Sequence, residues 1–323
     1  MLFLQDMKKV SVLVPVYGVE KYIGQCARSL FEQTYENIEY IFVDDCSKDG
    51  SIAILRQTME DYPARKSQTA IIRHERNKGL GGARLTALLN ATGEYITHVD
   101  SDDFMPRDAI ASLMAKAEES GADMIDGGYA EWEDGKAAVC RPAPHIRKEK
   151  YLKAILCQNI LPNRIWGRLY RRSMLTGNGV FSVEGIDFSE DYAVVPRAMF
   201  HSRMAYTDKT VYCYRKDNAS SYTHTVSEKH LLSHLRACQL VADFFMNTPG
   251  GERYRSAVDI GIVNAYRCTV ENGFDPAVAD REITYKPKST VCRICIMMLR
   301  RDWSATAVNM LYLAYRKLYI HLA

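Results

Sequence analysis

Four short polar clusters stand out in this 323-residue chain because each could hold a ligand or move a proton. Asp100-Ser101-Asp102-Asp103 closes an apolar stretch running from Glu94 to Val99. In an extended segment residues two apart point the same way, so Asp100 and Asp102 would present two carboxylates to one ligand. Such oxygens suit Mg²⁺ or Mn²⁺, which bridge to diphosphate oxygens and neutralise a departing group. Asp is equally at home in a strand-end turn or at a helix N-cap. Asp44-Asp45 follows a second apolar run. A carboxylate there could accept a hydrogen bond from a base N–H or a ribose hydroxyl, or simply belong to a turn in which Asp49-Gly50-Ser51 caps the next helix. In Asn77-Lys78-Gly79-Leu80-Gly81-Gly82-Ala83-Arg84 the glycines at a helix start let phosphate approach backbone N–H groups, and Arg84 adds charge. This is neither a Walker A loop nor a full G-x-G-x-x-G. Glu190-Asp191 precedes an apolar helix, Tyr192 to Phe200. A carboxylate there could deprotonate a hydroxyl or stabilise a helix N-terminus.

The elements that must carry these clusters alternate. Val10 to Val16 is a β-branched run suited to a strand buried on both faces. Ile23, Cys26, Ala27, Leu30 and Phe31 then repeat at helical spacing. Strand-like runs recur at Ile38 to Val43, Thr69 to Ile72 and Glu94 to Val99, each followed by a helical pattern. After the last, Pro106 sits where a helix can begin. The pattern βαβαβαβ predicts an α/β fold with a mainly parallel sheet between helices. Ligands in such sheets bind beyond the carboxyl ends of the strands, which is where the first two acidic clusters fall. From Met124 to Arg215 the pattern is irregular. Beyond Ser227 it turns helical, which predicts a C-terminal helical appendage.

Composition narrows the class. Hydrophobic residues make up 47% and charged residues 25%, ordinary globular values. Lys plus Arg number 42 against 39 Asp plus Glu, so no global field favours nucleic acid. Residues 281–323 carry eight Lys/Arg and two acids, either a binding surface or a solvated helix face. Nine cysteines without a secretory pattern predict reduced thiols and a cytoplasmic setting. Cys292-x-x-Cys295 lacks a second pair to complete a zinc site, so a buried thiol pair in a helix is expected. No apolar run reaches the ~20 residues a membrane span needs. Contact with a membrane surface through 281–323, with Ile294, Ile296, Trp303, Leu311 and Tyr315 dipping into the interface, is the alternative to packing of those helices on the protein.

Together, the order and spacing of the clusters resemble the family 2 glycosyltransferases, inverting enzymes with the GT-A fold. The matching stretches are Val12-Leu13-Val14-Pro15-Val16-Tyr17, Val43 through Ser51, Asn77 through Arg84, and Gly93 through Asp103. Trp166-Gly167-Arg168-Leu169-Tyr170-Arg171-Arg172 is similar to a segment common in members that build bacterial cell-surface polysaccharide, and Glu190-Asp191 and Tyr212-Cys213-Tyr214-Arg215 complete the set. The likeness runs from residue 8 to 224. It implies a catalytic domain over 1–224, with a nucleotide-binding half at 8–104 and an acceptor half at 105–224, followed by the helical region 225–323. It also implies roles. Pro15, Val16 and Tyr17 would line a base pocket with Asp45 or Asp44, while Asn77 and Ser101 would lie on the donor side. Arg84 would lie near the diphosphate and Asp100 near the ribose. Asp102 would bind Mg²⁺ or Mn²⁺, and Asp191 would be the general base. Asp103, Trp166 and Glu190 would lie on the acceptor side, although Trp166 also reads as a core residue. Leu85 replaces the Asn that many members carry after the third-motif Arg, which affects a local helix contact.

The implied activity is transfer of a sugar from a nucleotide-diphosphate sugar, by default a UDP-sugar, to the hydroxyl of a saccharide or lipid-linked saccharide. The implied site of action is the cytoplasm or the inner face of the membrane. Two rivals are a sugar-phosphate nucleotidyltransferase and a non-catalytic nucleotide-sugar-binding relative. The first usually has a Gly-rich loop after strand one, where Pro15-Val16-Tyr17-Gly18 offers one glycine. The intact acids at 100, 102 and 191 oppose the second.

Overall fold

The β-branched run that opens the alternation of strand and helix forms β1, Val10–Val16, buried along its whole length in the computed structural model, as a strand covered on both faces must be. The structure describes residues 7–158, 161–217, 227–301 and 305–322. Strands β2 (Ile38–Asp44), β3 (Thr69–Arg73) and β4 (Tyr95–His98) follow. Helices α1 (Ile23–Phe31), α2 (Ser51–Glu60), the four-residue α3 (Pro63–Lys66) and α4 (Gly79–Asn90) connect them. After β4 come α5 (Ala109–Ser120), β5 (Met124–Glu133), β6 (Lys136–Arg141), α6 (Lys148–Leu156), β7 (Arg168–Arg171), α7 (Arg172–Gly177), α8 (Glu190–His201) and β8 (Met204–Arg215).

The sheet order is β3-β2-β1-β4-β7-β5-β6, with β8 on β5. β1, β2, β3 and β4 pair in parallel, as does β8 with β5, whereas β7 runs antiparallel to both its neighbours. The antiparallel insertion has a positional consequence. Tyr95 pairs with Arg171 and Ile96 with Tyr170, so the outgoing end of β4 faces the incoming end of β7. The carboxyl ends of β1, β2, β4 and β8 and the start of β7 therefore share one edge of the sheet.

By contact the chain groups into two units: Met1–His145, Ile165–Gly185 and His201–Ser221 in the first, and Ile146–Arg164, Ile186–Phe200 and Tyr222–Ala323 in the second. In the first, Val12, Val14, Leu30, Phe42, Leu113 and Val211 are among the side chains of one buried core. Phe31 meets Tyr40 edge-on at 5.3 Å between ring centres, a favoured aromatic geometry.

At the edge of the sheet opposite the strands' carboxyl ends, Glu39 of β2 fastens β1 and the approach to β4. Its Oε1 accepts from the Ser11 hydroxyl at 2.5 Å and from the N–H groups of Thr92 and Gly93 at 2.6 and 3.0 Å. Its Oε2 accepts from the Thr92 hydroxyl at 2.7 Å and Lys9 Nζ at 2.6 Å. Gly93 is required by this close approach: a Cβ there would lie 2.6 Å from Ser11 Oγ and 2.7 Å from Ser11 N.

The second unit is helical: α6, α8, then α9 (Glu228–Asn247), α10 (Arg255–Glu271), α11 (Pro276–Glu282), α12 (Thr290–Leu299) and α13 (Ala305–Leu322). Ser227 caps α9, Asp275 caps α11 and Ser289 caps α12, each accepting from a first-turn N–H. Gly261 lets α10 approach the end of α6, since a Cβ would fall 2.3 Å from Leu156 O. Cys292 and Cys295 are buried on α12, and burial pushes the Cys292 thiol up to about 12. All nine cysteines are free thiols; Cys140 on β6 is exposed, Cys46 and Cys268 are half-buried and the rest are buried. No helix among the described residues is long and apolar enough to cross a membrane. Ile294 and Met297 on α12, and Met310, Leu311 and Leu313 on α13, are exposed. Trp303 lies outside the described residues.

Candidate functional site

The parallel register brings the first two acidic clusters to one place. Val16 pairs with Asp44, and one residue on, the Asp45 N–H donates to Val16 O at 3.0 Å. Tyr17 and Asp45 are thus neighbours just past the ends of β1 and β2. Pro15 and Val16 are buried beneath them, while the Tyr17 side chain stands out, 55% exposed. An exposed aromatic beside a carboxylate at strand ends can stack on a planar ligand and accept its N–H.

The two neighbouring acids differ. Asp44 accepts from the Ser47 N–H at 2.8 Å and lies 3.4 Å from Arg73 Nε, so it shapes the turn after β2. Asp45, 3% exposed, instead reaches the start of α4. Its Oδ1 accepts from the Lys78 N–H at 2.7 Å, and its Oδ2 from the Gly79 N–H at 2.8 Å. The positive end of the helix favours a carboxylate there. Asn77 supports the same turn, donating to Asp45 O at 3.1 Å and accepting from the Gly79 N–H at 3.1 Å. The glycine-rich start of α4 therefore holds a side chain of the protein.

Sequence reasoning passed over His74. Its Nδ1 lies 2.7 Å from Asp45 Oδ1 and its Nε2 2.9 Å from the Thr86 hydroxyl. The signal was in the register: Asp44 pairs with Arg73, which sets the next residue of each strand side by side.

At the end of β4 the acids do not continue the strand. The Asp103 N–H donates to Asp100 O at 3.0 Å, closing a turn, so the two-residue alternation expected of an extended segment does not apply. Each acid has its own environment. Asp100 Oδ1 lies 2.7 Å from Nη2 of Arg84, whose guanidinium is 1% exposed, and the Asp100 carboxylate remains a quarter exposed. Arg84 thus acts first on Asp100. Ser101 is buried and Asp102 half-buried. Asp103 turns inward. It accepts from the Tyr212 hydroxyl at 2.8 Å and the Arg215 N–H at 2.7 Å, and is 2% exposed. Burial, and then the charges of Asp102 and Asp100, push it well above the usual carboxylate range.

The end of β8 supports this turn. The Tyr212 hydroxyl, while donating to Asp103, accepts from the Asp100 N–H at 3.0 Å. Arg215 Nε donates to Asp102 O at 2.9 Å, and its guanidinium lies 4.9 Å from the Tyr22 ring centre and 5.8 Å from that of Phe104. Beneath the turn, burial first and Arg84 second lower His98 to about 3, which keeps the ring neutral. Trp166 takes its core reading. It stacks on Tyr212 at 4.4 Å and on Tyr214 at 5.4 Å, and meets Tyr129 edge-on. Glu190 and Asp191, both half-buried, form the first turn of α8 in the second unit.

The carboxylates at the end of β4 suit a divalent ion. With Asp103 turned inward, Asp102 and Asp100 remain. One or two carboxylates completed by phosphate oxygens is the set Mg²⁺ or Mn²⁺ takes in nucleotide sites. No group of three or more His, Cys, Asp or Glu able to hold a metal forms among the described residues.

Comparison with known proteins bears on the family and the fold. The sequence model described as glycosyl transferase family 2 matches residues 11–177. The putative glycosyltransferase EpsH of Bacillus subtilis (strain 168) is 34% identical over 262 residues, 79% of this chain and 74% of that protein. Among solved structures, S. aureus TarS 1–349 in complex with UDP aligns with a TM-score of 0.66 and 20% identity over 96% of this chain and 91% of that one. The mannosyltransferase PcManGT from Pyrobaculum calidifontis, in complex with GDP-Man and Mn²⁺, aligns with a TM-score of 0.52 and 18% identity over 96% of this chain and 86% of that one. At such identities the structural likeness shows the fold, a GT-A sheet with flanking helices.

Proposed function

The chain belongs to glycosyl transferase family 2, and from that premise we propose that it transfers a sugar from a UDP-sugar to an acceptor hydroxyl with inversion at the anomeric carbon. The observation that carries this reading is the meeting of Asp45, exposed Tyr17 and the Asp100–Asp103 turn where β1, β2 and β4 end. TarS, a structural neighbour, has been solved with UDP, which supports the choice of nucleotide. Membership of a transferase family favours transfer over the nucleotidyltransferase and non-catalytic readings.

The roles follow from the chemistry of each side chain. Tyr17 stacks on the base, above Pro15 and Val16, and Asp45 accepts a base N–H. Asp100, oriented by Arg84, faces the ribose, and Asn77 and Ser101 shape the donor side. Asp102 would hold Mg²⁺ or Mn²⁺, which when bound stabilises the negative charge that develops on the leaving diphosphate. Asp191 takes the proton of the acceptor hydroxyl. The freed oxygen pair forms a bond to the anomeric carbon as the bond to the β-phosphate oxygen breaks, and that pair leaves with the nucleoside diphosphate. A single displacement converts an α-linked donor into a β-linkage. On this reading residues 1–224 are catalytic and the acceptor is a saccharide or lipid-linked saccharide of cell-surface polysaccharide assembly.

We place the enzyme in the cytoplasm, resting on the inner face of the membrane through 281–323. The exposed apolar residues of α12 and α13 and the excess of basic residues support that contact. Co-sedimentation with anionic vesicles should fall when Ile294 and Met297 are both replaced by Glu; undiminished binding would remove the idea. For the chemistry, incubation with UDP-sugars and Mn²⁺ should release UDP slowly, without pyrophosphate chemistry. Asp191→Asn should keep UDP binding and lose ~10²–10⁴-fold in transfer; full activity in that variant removes Asp191 from the mechanism.

A further inference from the structure

Asp45 is a carboxylate with almost no acceptor capacity left. An ionised carboxylate has about four lone-pair sites and no donor. Oδ1 takes two hydrogen bonds, from His74 Nδ1 and the Lys78 N–H, and Oδ2 takes one, from the Gly79 N–H. One site remains, on Oδ2. A carboxylate can only accept, so the His74 ring carries its proton on Nδ1. In the neutral ring Nε2 then accepts from the Thr86 hydroxyl of α4. Both nitrogens are engaged and the ring is buried, so neither tautomer nor orientation is free to change. The Cys46 thiol donates to His74 O at 3.0 Å, fixing the backbone as well. An unrestrained aspartate turns broadly about its terminal torsion, and this one is held from both of its oxygens.

We propose that His74, backed by Thr86, is a positioning residue that fills Oδ1 of Asp45 and leaves a single acceptor site on Oδ2, so that the enzyme selects donor bases presenting an N–H there. The inference rests on the donor reading given above and deepens it. Uracil presents an imide N–H at ring position 3. Cytosine presents a lone pair at that position, and two acceptors face each other. A buried polar group left facing no partner costs enough to reject such an analogue strongly. Without the His74 N–H, Oδ1 regains a free site, the carboxylate can rotate or recruit water, and rejection of the wrong base weakens. The amides of α4 would still keep Asp45 beside the helix start, so the loss is of discrimination.

The test measures UDP and CDP binding to the full chain with Mg²⁺ by calorimetry, for the wild type and for His74→Leu, His74→Asn and Thr86→Val. The wild type should favour UDP by an order of magnitude or more. His74→Leu should narrow that ratio several-fold, chiefly by tightening CDP relative to UDP. In turnover it should raise KM for a UDP-sugar while changing kcat little, as expected where uniform binding is lost. His74→Asn, whose amide N–H can replace Nδ1–H, should restore most of the ratio, and Thr86→Val should narrow it partly. If His74→Leu does not fold, the Asn and Val variants carry the test. A variant that weakens both nucleotides equally, leaving the ratio intact, marks a purely structural histidine and overturns the proposal. A wild type that binds neither nucleotide overturns the donor reading itself, and binding of UDP and CDP alike overturns only the selection argued from His74.

Discussion

Replacing Glu39 by Gln should cost about 2–3 kcal/mol of unfolding free energy at neutral pH, and the cost should vanish in acid. Burial alone would raise the Glu39 carboxyl. The hydrogen bonds from Lys9, Ser11 and Thr92 outweigh burial and hold it at about 2, against an ordinary 4.5. At about 1.4 kcal/mol per pH unit, that interval corresponds to about 3 kcal/mol, and screening at its 15% exposed edge trims the figure. The folded value lies below the unfolded one, so the contribution is complete above pH 4.5 and is lost as pH falls through about 2. Denaturant titration of wild type and Glu39→Gln at pH 7, 5, 4 and 3 reads the difference directly. A gap under ~1 kcal/mol at pH 7, or one that stays constant down to pH 3, would refute the reasoning. Because Glu39 ties the starts of β1 and β2 to the approach to β4, the variant should fray that edge of the sheet, read as faster amide exchange at Ser11, Thr92 and Gly93.

Further outcomes follow from other residues. Gly261→Ala places a methyl 2.3 Å from Leu156 O and should destabilise the helical unit by about 1–3 kcal/mol, read as a lowered Tm; an unchanged Tm would mean that α6 and α10 separate freely. Asp103, held above the usual carboxylate range, lowers stability as pH rises from its unfolded value towards its folded one. Asp103→Asn should therefore be at least as stable as wild type at pH 7, with the advantage shrinking towards pH 4, and a destabilised variant at pH 7 would count against inward protonation. Chelation should abolish transfer, with recovery on adding Mn²⁺ or Mg²⁺, and Asp102→Asn should lose most of the ion's effect on UDP affinity; transfer that survives chelation would end the metal role.

Much of the fold was legible because the parallel half is built from local signals. β1 matches the predicted Val10 to Val16 because a continuous β-branched run can be little else between turn residues. β7 was not legible. It has four residues with an Arg at each end, no alternation to read, and a partner more than seventy residues away. The acids at the end of β4 show the same limit within the site. Their types predicted a polar strand end, but only the turn decides that Asp103 faces Tyr212 while Asp100 faces Arg84. His74 had no spacing to mark it, since its meaning comes from the neighbouring strand. Trp166 could be read as core or as acceptor-side, and only the fold shows it packed among three aromatic rings.

The distribution of thiols has a practical use. With Cys140 alone fully exposed, a maleimide dye added under native conditions should attach to β6 first and nearly stoichiometrically. Trp132 on the adjacent strand, whose pairing partner is Ala137, would then serve as a built-in energy-transfer donor. Fluorescence from one labelled position would then report local motion of the paired strands β5 and β6 without engineering a cysteine-free background.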